Sequence, residues 1–336
     1  MAFYDNISLE KGMYSVSGKT FTDVLEELDP SGNYKNTELD GLDAFQRQLK
    51  RFDIKVSGPK SDVIAKFFNT TQTSALFPEY VRRVVSTSIN ENNAVENLVA
   101  ATTYIDSLDY RTFHSSMAND SLSLTPTNEG TTIPETNIAL NSGLVHLIKR
   151  GRMLVASYEA LKYQKIDAFS TVLKQIGNYI SVSAFNDCID EIITGESIQE
   201  EIDTVSCATA GTLTYGDLIN LYQALYPYQL NTIVCTSDTM RALLLMDEMR
   251  DATAGLNFHS TGNLVTPFGA KVQPNILAGS SVLIGLDNRY TIEMIKAGDV
   301  QIEYDKLIDR QLERAAITST YGFSKLIHGS SVQLEV

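Results

Sequence analysis

Residues 98–195 constrain this chain more than any other stretch. A strand-like run over 98–108 opens into residues 111–143, which are rich in Ser, Thr, Asn and Gly. A second apolar run over 144–156 follows, then a long helical pattern without a Pro. A polar excursion of that size between two ordered runs has no core of its own. It has to lie on something else, and the best candidate is another copy of the same chain.

The helical pattern is expected to begin near Asp167, acting as N-cap, and to stop at Gly195, just past its last turn. Phe169, Val172, Leu173, Ile176, Ile180, Ala184, Cys188 and Ile192 recur every three or four residues. At 1.5 Å per residue the helix spans roughly 40 Å. Its apolar stripe needs a sheet or a second helix to cover it.

The chain has 336 residues, 43% hydrophobic and 20% charged, as expected for a folded soluble protein of two or three units. No apolar run reaches the ~18 residues of a membrane-spanning helix. The first residues, Met1-Ala2-Phe3-Tyr4-Asp5, lack the basic and apolar regions of a signal peptide, so none is expected. A net charge of -14 argues against a surface that wraps a polyanion. The three cysteines, Cys188, Cys207 and Cys235, form no CxxC pair and read as reduced thiols. Cys188 and Cys235 fall in apolar patterns and read as small buried hydrophobes.

Residues 1–75 differ from the rest. Asp40 can cap a helix with Leu42, Phe45, Leu49 and Phe52 on one narrow stripe, and Ser61 can cap another with Val63, Ile64, Phe67 and Phe68. Short helices with one stripe cannot build a core alone, so this region is expected to be an arm that docks elsewhere. Thr70 to Ser74 reads as a linker, with Pro78 in the first turn of the next helix. Beyond residue 214 the pattern predicts a helix through Leu218, Leu221 and Leu225, a buried strand over 231–236, and a helix over 240–249 capped by Ser237. Residues 251–274 form a long loop with one short strand at 270–272. Strands follow over 281–286, 290–295, 300–304, 315–326 and 331–336. Strands and helices alternate too irregularly for a doubly wound sheet, so the class is α+β.

A search for chemistry finds little. His114, His146, His259 and His328 stand singly, without neighbours at zinc-ligand spacing. There is no nucleophile elbow, phosphate loop or dinucleotide fingerprint. Residues 29–40 begin like a calcium loop, but Tyr34 occupies the glycine position, leaving an ordinary turn. The adjacent pairs Glu26-Glu27 and Glu200-Glu201 read as solvated, because helical neighbours in sequence do not face each other. No catalytic residue, cofactor or metal site is expected.

Basic clusters stand out against the acidic background: Arg47, Lys50, Arg51 and Lys55; Arg82 and Arg83; Lys149, Arg150 and Arg152. They can be solvated faces or ion pairs within one subunit. They can equally hold carboxylates of neighbouring copies through bidentate contacts, which makes Arg47, Arg51, Arg82, Arg83, Arg150 and Arg152 candidate inter-subunit contacts. Loose contact with enclosed nucleic acid ranks third, because no aromatic stacking positions accompany the clusters.

The order of parts resembles the major capsid proteins of tailed bacteriophages, the Hong Kong ninety-seven capsid fold. Ala75-Leu76-Phe77-Pro78-Glu79-Tyr80-Val81 is similar to that family's entry into its peripheral domain. Gly151-Arg152-Met153-Leu154-Val155-Ala156-Ser157-Tyr158-Glu159-Ala160-Leu161 resembles the strand and turn before its spine helix, and residues 167–195 the spine helix itself. Val282-Leu283-Ile284-Gly285-Leu286-Asp287 with Tyr290-Thr291-Ile292 resembles the return from its axial domain. The resemblance implies an N-terminal arm over 1–75 and an extended β-hairpin loop over 101–143 that lies on a neighbour. It implies a peripheral domain over 76–100, 144–205 and 290–336, and an axial domain over 206–289.

The function implied is that of an icosahedral head shell around a double-stranded DNA genome. The protein would be a homo-oligomer of pentamers and hexamers in the virion, assembled in the bacterial cytoplasm, with portal, scaffolding and decoration proteins as partners and no membrane. Some members link subunits through a Lys on the extended loop and an Asn elsewhere. Here no Lys lies between Lys66 and Lys149, so the shell is expected to be non-covalent. Only about 75 residues precede the family-like body, so scaffolding is expected from a separate protein. Two other readings stay open: an encapsulin-type nanocompartment shell of the same fold, and a soluble α+β enzyme.

Overall fold

The structure is a computed structural model that describes residues 4–16, 18–91, 93–107, 109–115, 126–130, 138–140, 143–250, 265–266, 268–275 and 282–336. In chain order its helices are α1 (Phe21–Leu28), α2 (Ala44–Arg51), α3 (Thr71–Glu91), α4 (Tyr158–Tyr163), α5 (Ile166–Thr194), α6 (Tyr215–Ala224), α7 (Ser237–Leu245) and α8 (Asp247–Arg250). Its strands are β1 (Val99–Tyr104), β2 (Asp109–Tyr110), β3 (Phe113–Ser115), β4 (Ile138–Leu140), β5 (Val145–His146), β6 (Ile148–Ser157) and β7 (Asp203–Ser206). They continue as β8 (Thr232–Thr236), β9 (Lys271–Asn275), β10 (Val282–Leu286), β11 (Ile292–Lys296), β12 (Gln301–Leu307), β13 (Leu312–Lys325) and β14 (Ser331–Glu335).

The chain divides into two compact units. The first comprises Met1–Asn92, Arg150–Ile180 and Val300–Ser319; the second comprises Asn93–Lys149, Ser181–Asp299 and Thr320–Val336.

In the first unit, capping boxes start two helices. Thr20 and Asp23 exchange side-chain-to-backbone bonds at the head of α1, as do Asp43 and Gln46 at α2. The cap of α2 is therefore Asp43, not Asp40, whose carboxylate accepts from the Asn36 N–H in the preceding turn. The expected helix after Ser61 is only a 3-10 turn, Ile64–Phe68, with no side-chain cap. The expected linker 70–74 runs into α3, where Thr70 and Thr73 exchange backbone-to-hydroxyl bonds.

Pro78 consequently lies inside α3, past its first turn. A proline there lacks an N–H and its ring crowds the carbonyl four residues back. The Tyr14 hydroxyl lies at this turn: it accepts from the Glu79 N–H at 3.0 Å and donates to the Ala75 carbonyl at 2.7 Å. One hydroxyl thus bridges the donor and acceptor of a single helical turn, one of the recognised causes of a bend.

Residues 1–75 are not a detached arm. Leu9, Phe21, Leu25, Phe45, Leu49, Ile64 and Phe67 are buried in one core with Leu76, Val81, Leu173, Ile176 and Ile317. Each stripe is too narrow to form a core alone, so the short helices share the one built by α3 and the first half of α5. Those two helices touch closely. A Cβ on Gly177 of α5 would sit 2.8 Å from the Val85 carbonyl, and the Ser88 hydroxyl donates to the Lys174 carbonyl at 2.7 Å. A sheet covers the same core. β12 pairs antiparallel with residues 312–318 of β13, and β6 pairs with β13 on its other edge. Ile302, Tyr304, Ile317, Leu154 and Ala156 point into the core.

Helix α5 has the expected extent. Asp167 lies in its first turn rather than capping it. Gly195 ends it with φ +56°, its N–H donating to the Glu191 carbonyl. That conformation favours glycine.

The second unit carries a five-stranded sheet in the order β7-β14-β10-β8-β9. The C-terminal strand β14 completes it between β7 and β10, so the sheet is not confined to the expected axial span 206–289. Strand β8 is buried along its whole length. A Thr214–Asp217 capping box starts α6. Thr236, one residue before the expected Ser237, caps α7. The expected single helix to Met249 is broken by extended backbone at Met246. Leu218, Leu221, Leu225, Ile233, Cys235, Leu243, Leu283 and Leu334 form one core of this unit. A second core joins Phe185, Cys188, Ile189 and Ile192 of α5 to Leu98, Ile292, Met294 and Phe323. Cys188 and Cys235 are buried, as expected.

Strand β1 pairs in parallel with β11. The span expected as an extended loop begins with two short antiparallel pairings, β2 with β5 and β3 with β4. Residues 116–125, 131–137 and 141–142 of the loop, and 251–264 of the expected long loop, lie outside the described residues.

Candidate subunit-contact surfaces

The six candidate arginines separate into buried and exposed groups. Arg47 is wholly buried. Its Nε donates to Asp29 Oδ2 at 2.9 Å, its Nη1 to Ser31 Oγ at 2.8 Å and the Leu42 carbonyl at 2.7 Å, and its Nη2 to the Asp29 carbonyl. The guanidinium lies 4.4 Å from the Tyr34 ring centroid, and the Tyr34 hydroxyl donates to Asp29 Oδ1 at 2.6 Å. The expectation that Arg47 reaches a neighbouring copy is therefore corrected. Its donors are taken within its own unit, as a buried guanidinium requires.

Arg82 and Arg83 converge on Glu79, which is also buried. Arg82 binds it through Nε and Nη2, both at 2.8 Å; Arg83 adds Nε at 2.9 Å and reaches Asp43 at 2.7 Å and Thr22 at 2.8 Å. The Thr22 hydroxyl donates to Glu79 as well. Burial pushes the Glu79 carboxyl up, but Arg82, Thr22 and Arg83 outweigh it and hold its pKa below the ordinary glutamate value. Arg51 is half-buried and donates to the Ile7 carbonyl at 2.8 Å. These contacts tie α2 and α3 to the first twenty-odd residues. Arg150 is partly exposed and Arg152 exposed, both on β6.

β6 and its surroundings form the outward apolar surface of the first unit. Met153 and Val155 are exposed on β6, Tyr163 on α4, and Val172 and Tyr179 on the outer side of α5. A recess of about 240 Å³ opens between Leu154, Ala156, Ala160, Phe169 and Val172. In its wall the Tyr304 hydroxyl donates to Glu313. Sequence reading missed this surface. Residues 153–156 form an unbroken apolar run, which reads as a strand buried on both faces.

In the second unit, α6 turns Ile219 and Tyr222 outward. His146 is exposed, and His328 sits 3.5 Å from Glu200 and 3.4 Å from Asp203. Lys325 is buried and its ammonium nitrogen has no acceptor among the described residues. Burial lowers its pKa against the pull of Asp203, Glu191 and Glu200. The His114 side chain and all of His259 lie outside the described residues. Among the described residues no group of three or more His, Cys, Asp or Glu could hold a metal ion, and no helix is long and apolar enough to cross a membrane.

No protein-family model and no curated protein matches the sequence. Solved structures do match the fold. The capsid of a native GTA particle superposes with a TM-score of 0.53 at 12% identity, over 72% of this chain and 89% of that one. The capsid of an empty GTA particle gives 0.50 at 13% identity, over the same shares. A structure of Microbacterium phage Oxtober96 gives 0.50 at 10% identity, over 73% of this chain and 91% of that one. At such identities the likeness is one of fold. The chain has the α+β fold of the tailed-phage major capsid proteins that the order of its parts resembles.

Proposed function

We propose that this chain is the major capsid protein of a tailed bacteriophage, self-assembling into an icosahedral head shell around a double-stranded DNA genome. The observation that carries the reading is a fold likeness spanning about nine tenths of the capsid chains of native and empty GTA particles. The apolar outer surface of β6, α4 and α5 supports it, as do the two short antiparallel pairings at the base of a long polar stretch. No bond-breaking step is involved. The mechanism is association, in which many modest contacts add up as multivalency requires. Arg150 and Arg152 remain the candidate carboxylate contacts between copies, and the shell is non-covalent. Portal, scaffolding and decoration proteins, loose contact with DNA, and assembly in the host cytoplasm belong to the same reading.

Negative-stain imaging and size-exclusion chromatography of the expressed protein test it. Closed particles of uniform size are expected. A monomer of 37.1 kDa at every concentration refutes the proposal. Particles from infected cells that enclose a cargo enzyme in place of DNA transfer it to the nanocompartment reading.

A further inference from the structure

The outer face of α6 stands apart in charge. From Thr204 to Ser237 the sequence holds 34 residues and a single charged one, Asp217. At the chain's average of 20% charged residues, such a stretch carries about seven. Asp217 itself is 1% exposed and is taken up by Thr214 and the Ala208 N–H. The exposed surface of α6 and of Tyr226 just after it is therefore uncharged: Ile219, Asn220, Tyr222, Gln223 and Tyr226; farther on, Gln229 accepts from Arg289, whose charge is paired with Asp287. Three of these are large apolar or aromatic groups: Ile219 is 37% exposed, Tyr222 48% and Tyr226 84%. Tyr222 is also held in place, stacking on Phe268 at 5.6 Å between centroids, with Tyr215 on the same ring at 5.4 Å.

We infer that this face of α6 is buried against a second copy of the chain. The argument is electrostatic and rests on the shell reading above. Copies with a net charge of -14 repel one another, and contacts form where like charges do not have to be brought together. A helix face and following turn without charge, bearing two tyrosines and an isoleucine, meet that condition and have the aromatic composition of interface centres. Other occupants fit less well. A nucleic acid needs Lys or Arg for its phosphates, and an interfacial membrane helix needs a basic polar face; residues 204–240 contain neither Lys nor Arg. The ten residues of α6 span about 15 Å, too little for the roughly 800 Å² per partner of a stable isolated pair. The contact therefore holds only when repeated through an assembly, and no dimer is expected in dilute solution.

The double variant I219E/Y222E tests the inference in the full chain. Every copy then carries added negative charge at the face. The concentration at which particles form is expected to rise about tenfold or more, the factor given by ~1.4 kcal/mol per contact, and added salt is expected to recover part of it. Thermal unfolding of the dissociated variant shows whether it folds; if it does not, I219N is expected to give a smaller shift in the same direction. Hydroxyl-radical footprinting of the wild type gives an independent readout. Tyr222 and Tyr226 are expected to react in dissociated subunits and to be protected in particles. Particle formation at the wild-type threshold by the folded variant, or equal labelling in both states, overturns the inference while leaving the shell reading intact. Failure of the wild type to form particles at all refutes the shell reading instead.

Discussion

Removing the Tyr14 hydroxyl tests how α3 carries a proline in its interior. In Tyr14→Phe the ring remains and keeps its stacking on Phe21, at 4.5 Å between centroids. Only the two hydrogen bonds to Glu79 N–H and the Ala75 carbonyl are lost. Ala75 and Glu79 are both 0% exposed, so water does not replace the hydroxyl. A buried backbone group left without a partner costs about 1–3 kcal/mol. Two such groups, partly relieved by relaxation, place the loss at about 2–4 kcal/mol. Urea unfolding of dissociated subunits, followed by far-ultraviolet circular dichroism, measures it. The second arm is Pro78→Ala, which takes the ring off the preceding turn and leaves the Ala75–Glu79 turn free to tighten without the hydroxyl. In that background Tyr14→Phe is expected to cost at least ~1 kcal/mol less, a coupling that a double-mutant cycle reads. A loss below ~0.5 kcal/mol, or strict additivity of the two changes, refutes the account.

Other outcomes follow from the same unit. Arg47→Met leaves the Asp29 carboxylate, 2% exposed, without its guanidinium and is expected to cost about 3–5 kcal/mol; urea unfolding within about 1 kcal/mol of wild type rules this out. Gly177→Ala brings helix propensity but pushes a Cβ to 2.8 Å from the Val85 carbonyl. Because a backbone atom cannot step aside cheaply, a net loss of about 1–3 kcal/mol is expected, read as a lowered Tm. Glu79→Gln tests the lowered pKa of Glu79. The folded-state value lies below the unfolded one, so the carboxylate's contribution is full above about pH 4.3 and is lost as pH falls through the folded value. The Tm gap between the Glu79→Gln variant and the wild type is thus expected to be widest near neutrality and to close in acid; a gap independent of pH excludes that role.

Much of the fold was legible in the chain. The extent of α5 follows from apolar recurrence and from a glycine that tolerates positive φ, both local properties. The strands of the second unit follow from short β-branched runs, and the burial of Cys188 and Cys235 from the patterns around them. The contact surfaces were far less legible. Arg47 and Arg152 look alike in sequence, each in a cluster of basic residues, yet one is sealed in a core and the other exposed. What separates them is Asp29, eighteen positions from Arg47, and no spacing rule links a residue on one helix to one just past the end of another.

Periodicity and the order of elements by themselves determined the α+β class, and periodicity with Gly195 determined the extent of the long helix α5. These depend on interactions within a few residues of one another, which a sequence displays directly. Tertiary structure alone decided that residues 1–75 fold into their own unit's core, that Pro78 sits inside a helix, and which arginines reach the surface. Each of those rests on partners tens of residues away: Tyr14 for Ala75 and Glu79, Thr22 for Arg83, Ser88 for Lys174. Such pairings are set by which surfaces best exclude water and satisfy buried polar groups once the chain has folded, and local pattern carries no record of them.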